Sequence, residues 1–83
     1  MPKSSNRFGI VKYNVLSDPN LSIQAKGLYS LLCTYADKNR TCYPSSSHLA
    51  DLLNVSQRYI FKLLKELKAN NYVKRVDGKL KII

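Results

Sequence analysis

The chain predicts a mostly α-helical α/β domain: three helices, a C-terminal β-hairpin and a short N-terminal strand. Three observations predict it. Apolar residues recur at helical spacing in three segments, each preceded by a serine that can cap it. Asp77-Gly78 sits between two runs of alternating residues, a strong local hairpin signal. Short turn clusters rather than long linkers separate the segments. At 83 residues the chain makes one domain, with residues 1–6 as a flexible basic tail and 7–83 as the folded body.

Taken in order, Arg7-Phe8-Gly9-Ile10-Val11-Lys12-Tyr13 reads as the strand or an extended arm. Ser17-Asp18-Pro19-Asn20 is a turn cluster. Ser22 then caps a helix running to about Tyr35 or Ala36, with Leu28, Leu31, Leu32 and Tyr35 on one buried stripe. Gly27 inside that helix costs propensity and predicts close packing against another element. Residues 37–43 form a loop or short strand. Pro44-Ser45-Ser46-Ser47 opens a second helix, capped by Ser45, with Leu49, Leu52 and Leu53 on its apolar side. Asn54-Val55-Ser56 breaks it, and Ser56 caps a third helix to about Asn70. Ile60, Leu63, Leu64 and Leu67 are the buried stripe of that helix, and Val55 stands at the spacing of a hydrophobic staple to Ile60. In the hairpin a two-residue loop pairs Val76 with Lys79 and Val73 with Ile82. That register puts Val73, Leu80 and Ile82 on one face and Lys74, Lys79 and Lys81 on the other.

Two short helices joined by a three-residue turn and followed by a hairpin make a winged helix-turn-helix. Its packing rules can be checked one position at a time. The first helix of the unit needs a small residue at the close approach, Ala50. The turn needs a residue that tolerates left-handed φ, Asn54, and an apolar anchor, Val55. The second needs inward residues one turn apart, Ile60 and Leu63, with Leu49 and Leu53 completing the core.

The charge says what such a unit would meet. Fourteen Lys and Arg against five Asp and Glu give +9, of which +3 lies in residues 1–12, none in 13–56 and +6 in 57–83. A one-signed field attracts a polyanion, most often nucleic acid. With its stripe buried, the third helix turns Gln57, Arg58, Phe61, Lys62 and Lys65 outward. In this motif that face enters the DNA major groove. Gln57 and Arg58 reach base edges, Gln to adenine and Arg to guanine, and Phe61 can meet thymine methyls. Lys62 and Lys65 meet phosphates, as do Lys74, Arg75, Lys79 and Lys81 of the wing, and Ser45 and Ser56 at the helix starts. Lys3 and Arg7 of the tail can add phosphate contacts.

The runs Leu21-Ser22-Ile23-Gln24-Ala25-Lys26-Gly27-Leu28-Tyr29, Cys42-Tyr43-Pro44-Ser45, Leu49-Ala50, Val55-Ser56 and Leu64-Lys65-Glu66-Leu67 resemble the bacterial helix-turn-helix family at the N-terminus of plasmid and phage replication initiators and DnaD-like proteins. The resemblance covers roughly residues 8–76. It implies sequence-specific binding to double-stranded DNA, often at a replication origin or operator, and a chain that continues beyond the wing. The family commonly has Gly where Asn54 stands, Arg-Thr-Val where Arg58-Tyr59-Ile60 stands, and a polar or basic residue where Phe61 stands.

Other chemistry is poorly served. Cys33, Cys42 and the lone His48 have no usual metal-ligand spacing, and a single histidine gives no triad. Tyr59 or Tyr72 as a DNA-nicking nucleophile would need a metal-holding histidine cluster. Three isolated glycines form no phosphate loop. The expectation is therefore no enzyme, no cofactor and no small-molecule ligand. No apolar run is long enough to span a membrane, so a cytoplasmic protein is expected. Residues 57–70 could lie on a membrane as a basic amphipathic helix, but the helix-turn-helix core makes better use of the stripe. The main rival to DNA is a protein partner held by Phe61 and Tyr59. A homodimer on DNA is expected, because one recognition helix reads only a few base pairs. Candidate dimer surfaces are the outer parts of the first helix at Tyr29 and Cys33, and the strand near Phe8 and Ile10. Replication initiation and transcriptional regulation use the same module.

Overall fold

The computed structural model describes residues 10–42 and 45–83. Residues 1–9, with Lys3, Arg7 and Phe8, lie outside the described residues, as do Tyr43 and Pro44. The elements run α1 (Tyr13–Leu16), α2 (Ile23–Tyr35), β1 (Thr41–Cys42), α3 (Ser46–Leu53), α4 (Gln57–Ala69), β2 (Val73–Val76) and β3 (Lys79–Ile82). The strands form one antiparallel sheet in the order β1-β3-β2. This is a winged helix-turn-helix: α3 and α4 are the helix-turn-helix, and β2–β3 the wing.

Each long helix begins where a serine can take up an orphan amide. Ser22, Ser45 and Ser56 accept hydrogen bonds from the amides of Ala25, His48 and Tyr59, each at 3.1 Å. α3 and α4 both end with an asparagine in the left-handed region, Asn54 at φ 58° and Asn71 at φ 63°. After α3, the amides of Val55 and Asn54 return to the carbonyls of Ala50 and Asp51. After α4, those of Tyr72 and Asn71 return to Leu67 and Lys68. Both are Schellman closures with Asn in place of Gly. The hairpin turn holds Asp77 at φ 50° and Gly78 at φ 78°, the paired positive values of a type I′ turn. The resulting register pairs Val76 with Lys79 and Val73 with Ile82, as the sequence predicts.

The core joins all three long helices and the sheet. Leu28, Tyr29, Leu32, Leu49, Ile60, Leu67, Val73 and Ile82 are all but inaccessible to water. Burying an aliphatic side chain of this kind contributes roughly 1.5–3 kcal/mol. Two polar links across long sequence separations add to this. Glu66 on α4 accepts the Ser22 amide at 2.7 Å and the Ser22 hydroxyl at 3.1 Å, so α4 supplies the carboxylate at the start of α2. Tyr72, set edge-on against Tyr29, donates its hydroxyl to Asp18 in the turn before α2.

Four expectations are corrected. Residues 10–12 are in no strand and Tyr13 opens a helical turn. The turn sends Val15 into the core and leaves Tyr13, Asn14 and Leu16 outside, and the free edge of β3 is taken by β1. Gly27 is exposed, and among the described residues a Cβ placed there would have no neighbour within 4 Å. Leu52 is 51% exposed and is no part of the apolar side of α3, since α3 turns Leu49 and Ala50 fully inward. Tyr29 and Cys33 are buried at 0% and 3% exposure, so they offer no dimer surface. The buried face of α2 is wider than its Leu28-Leu32 stripe because α2 packs against both α4 and β1.

Candidate nucleic-acid interface

The orientation of α4 decides which of its side chains can meet a ligand. Ile60, Leu63, Leu64 and Leu67 are buried, while Gln57, Arg58, Phe61, Lys62 and Lys65 are exposed. Phe61 keeps 56% of its surface in water, so the outward face carries one large apolar ring among polar and cationic groups. Tyr59 is half-buried against the core, and the Lys62 ammonium lies 6.0 Å from its ring centroid. Glu66, the one acid of α4, is held by Ser22 of α2. The outward face through Lys65 therefore carries no negative charge.

α3 frames one side of this face. Ser46, its first residue, donates its hydroxyl to the side-chain oxygen of Gln57 at 3.1 Å. Ser45 and Ser56 serve as caps, which takes one lone pair of each oxygen, and the Ser45 hydroxyl also meets that of Ser47 at 3.4 Å. His48, further along α3, meets the hydroxyl of Tyr35 through its Nε2 at 3.1 Å, tying the end of α2 to α3. Sequence reasoning missed Ser46, because its link to Gln57 spans eleven positions and follows no local pattern.

The wing divides its cations between two faces. Arg75 stands opposite Leu80 in the ladder, on the face that covers the core. There it lines a cleft of about 140 Å³ with Ser46, Phe61, Leu64 and Gly78, above a floor that includes Cys42, Leu49 and Leu80. Lys74 pairs with Lys81, and Val76 with Lys79, on the opposite face. Lys81 is half-buried and donates to the Asn39 carbonyl at 3.0 Å. Lys79 lies near Asp37, whose carboxylate is held below its usual range chiefly by the amide of Thr41. The structure thus brings Arg75 beside α4 and places the three wing lysines on the other face of the hairpin. The pleat alone carried that signal, since residues 73 and 75 must share a face.

Cys33 and Cys42 are free and buried, and burial pushes the Cys42 thiol up to about 11. Burial also raises Tyr29, whose hydroxyl lies beside Cys33 and Arg40. Among the described residues no group of three or more His, Cys, Asp and Glu side chains could hold a metal ion. No helix there is long and apolar enough to cross a membrane.

Comparison with curated proteins and with solved structures finds no match. A family model described as a helix-turn-helix domain matches residues 20–73, more than half of the chain, from the turn before α2 to the start of the wing. With α3 and α4 packed through Ala50 and Ile60, Asn54 turning the chain between them and a basic outward face on α4, the chain belongs to the helix-turn-helix domain family, a class of double-stranded DNA-binding domain.

Proposed function

We infer that the domain binds double-stranded DNA sequence-specifically, with the N-terminal half of α4 in the major groove. The observation that carries this is the outward face of α4: Gln57, Arg58, Phe61, Lys62 and Lys65 are all exposed, with no acid among them. Gln57, Arg58 and Phe61 sit on the first turns, where side chains reach base edges. Lys62 and Lys65, with the hydroxyls of Ser45 and Ser56, take phosphates. Arg75 and Lys79 flank the wing tip and meet the neighbouring backbone, while Lys74 and Lys81 add to the field from behind. Two copies would bind a two-fold site, each reading one half. The resemblance to bacterial replication initiators supports a cytoplasmic protein that works on the chromosome or a plasmid. The resemblance of the Leu21–Tyr29 and Leu64–Leu67 runs to replication initiators favours origin binding over transcriptional regulation.

Fluorescence anisotropy of the domain with labelled mixed-sequence duplex, across a salt series, tests the reading. Counterion release predicts affinity that falls steeply as salt rises. Absence of binding even at low salt would remove DNA as the ligand and make Phe61, as a protein-binding anchor, the first residue to mutate.

A further inference from the structure

Resting on the DNA reading above, we propose that Ser46 turns Gln57 into a donor-only reader, so that α4 selects guanine and thymine edges rather than adenine. Paired recognition of adenine by glutamine requires both ends of the carboxamide: the oxygen accepts from N6 and the nitrogen donates to N7. Here the Gln57 oxygen is turned back onto α3, where it accepts the Ser46 hydroxyl at 3.1 Å. The end left uncommitted is the NH2 group, which only donates.

The neighbours extend the same chemistry. Arg58, Lys62 and Lys65 are exposed and hold no acceptor. The Ser56 oxygen faces the Tyr59 amide at 3.1 Å. Glu66, the acceptor that could take the amino group of cytosine, is bound to Ser22. A face built of donors complements base edges built of acceptors. In the major groove guanine presents two acceptors, N7 and O6, and thymine presents O4, whereas cytosine presents an amino donor and adenine sets an amino donor beside its N7, which a donor-only face leaves unpaired. Phe61 divides the two acceptor bases. It stands one turn beyond Gln57 and is 56% exposed, an apolar surface suited to the 5-methyl group of thymine. The domain should therefore read a strand of guanine and thymine, with thymine opposite Phe61.

Selection of duplexes from a random pool by the wild-type domain, Gln57→Ala, Ser46→Ala and Phe61→Ala tests this. Ser45 rather than Ser46 caps α3, so Ser46→Ala keeps the helix start. Gln57→Ala should erase preference at one position, and the wild type should hold guanine or thymine there. Ser46→Ala frees the oxygen and should move that same position to adenine. In the wild type, placing adenine there should weaken binding roughly fivefold or more, about 1 kcal/mol. Replacing the selected thymine by deoxyuridine should weaken the wild type and leave Phe61→Ala unchanged. Adenine at the Gln57 position of the wild type, or a Ser46→Ala site identical to the wild-type site, overturns the proposal while duplex binding stands. Loss of duplex binding by the wild type overturns the DNA reading and this inference together.

Discussion

Cations project from α4 and from the outer face of the hairpin, and the two regions hold them in opposite ways. On α4, the residues opposite Arg58, Lys62 and Lys65 are locked in the core, so three charges stand at fixed offsets on a rigid rod. On the hairpin, Lys74 and Lys81 face each other across the ladder, an arrangement that repels, and Lys81 leans on the Asn39 carbonyl instead. Similar residues in similar numbers thus give a positioned reading face in one region and a diffuse field in the other. Arg75 sides with the first: the pleat sends it into the cleft with Phe61, away from its chain neighbour Lys74 and from Lys79 and Lys81 on β3.

The contrast can be broken or sharpened by substitution. Arg58→Ala should have the largest effect, costing about 1–3 kcal/mol of discrimination at one base pair, read by competition between matched and mismatched duplexes. An unchanged preference would strip Arg58 of base reading. Glu66→Ala should come next, at about 1–2 kcal/mol of folding stability in urea, because it frees the Ser22 amide and hydroxyl and loosens the seat of α4 on α2. Lys62→Ala with Lys65→Ala should weaken binding to every sequence alike and lower the salt slope by about 2. If affinity survived that pair, the assigned outward face of α4 would be wrong. Lys74→Ala with Lys81→Ala should change affinity least, and its relief of like-charge pairing should leave stability level or slightly raised.

A smaller effect separates the two regions by pH. The Tyr72 hydroxyl lowers Asp18 below its ordinary 3.8, and Asp18 raises Tyr72 above its ordinary 10.0. A lowered carboxylate stabilises above its ordinary value and loses that contribution as pH falls through the folded one. A raised tyrosine stabilises below its ordinary value and loses it as pH climbs through the folded one. The bond that anchors the root of the wing therefore holds between those limits and fails beyond both. Tyr72→Phe should reduce the alkaline loss in a urea-midpoint series without abolishing it, because burial also raises Tyr29, Cys33 and Cys42. It should likewise only reduce the acid loss, since Asp37 is also held low, chiefly by the Thr41 amide.

What the sequence reveals follows the reach of each interaction. Caps at Ser22, Ser45 and Ser56, the left-handed Asn54 and the Asp77-Gly78 turn act within a few residues, and they are legible as written. The stripe of α4 and the face it leaves outside follow from helical period alone. The bonds from Glu66 to Ser22 and from Tyr72 to Asp18 join positions 44 and 54 apart, and no local pattern encodes them. Gly27 misleads for a related reason: a helical glycine signals a close approach, but only the packed structure shows that none of the described residues makes one. The helical turn at Tyr13 was hidden because four residues are too few to display a period, and burial of Val15 decided it. In the site, the exposed residues of α4 were readable, whereas the Ser46–Gln57 bond depends on how α3 crosses α4.

The open surroundings of Gly27 have a practical side. An exposed helical position with no neighbour within 4 Å accepts a reporter group without disturbing the core. The two native thiols lie buried, at 3% and 5% exposure, and both are pushed up by burial, Cys42 to about 11. Thiolates, not thiols, attack labelling reagents. A Gly27→Cys variant would therefore offer the fast-reacting sulfur of the chain with Cys33 and Cys42 left in place, and a dye carried on α2 could follow DNA binding without occupying any part of α4.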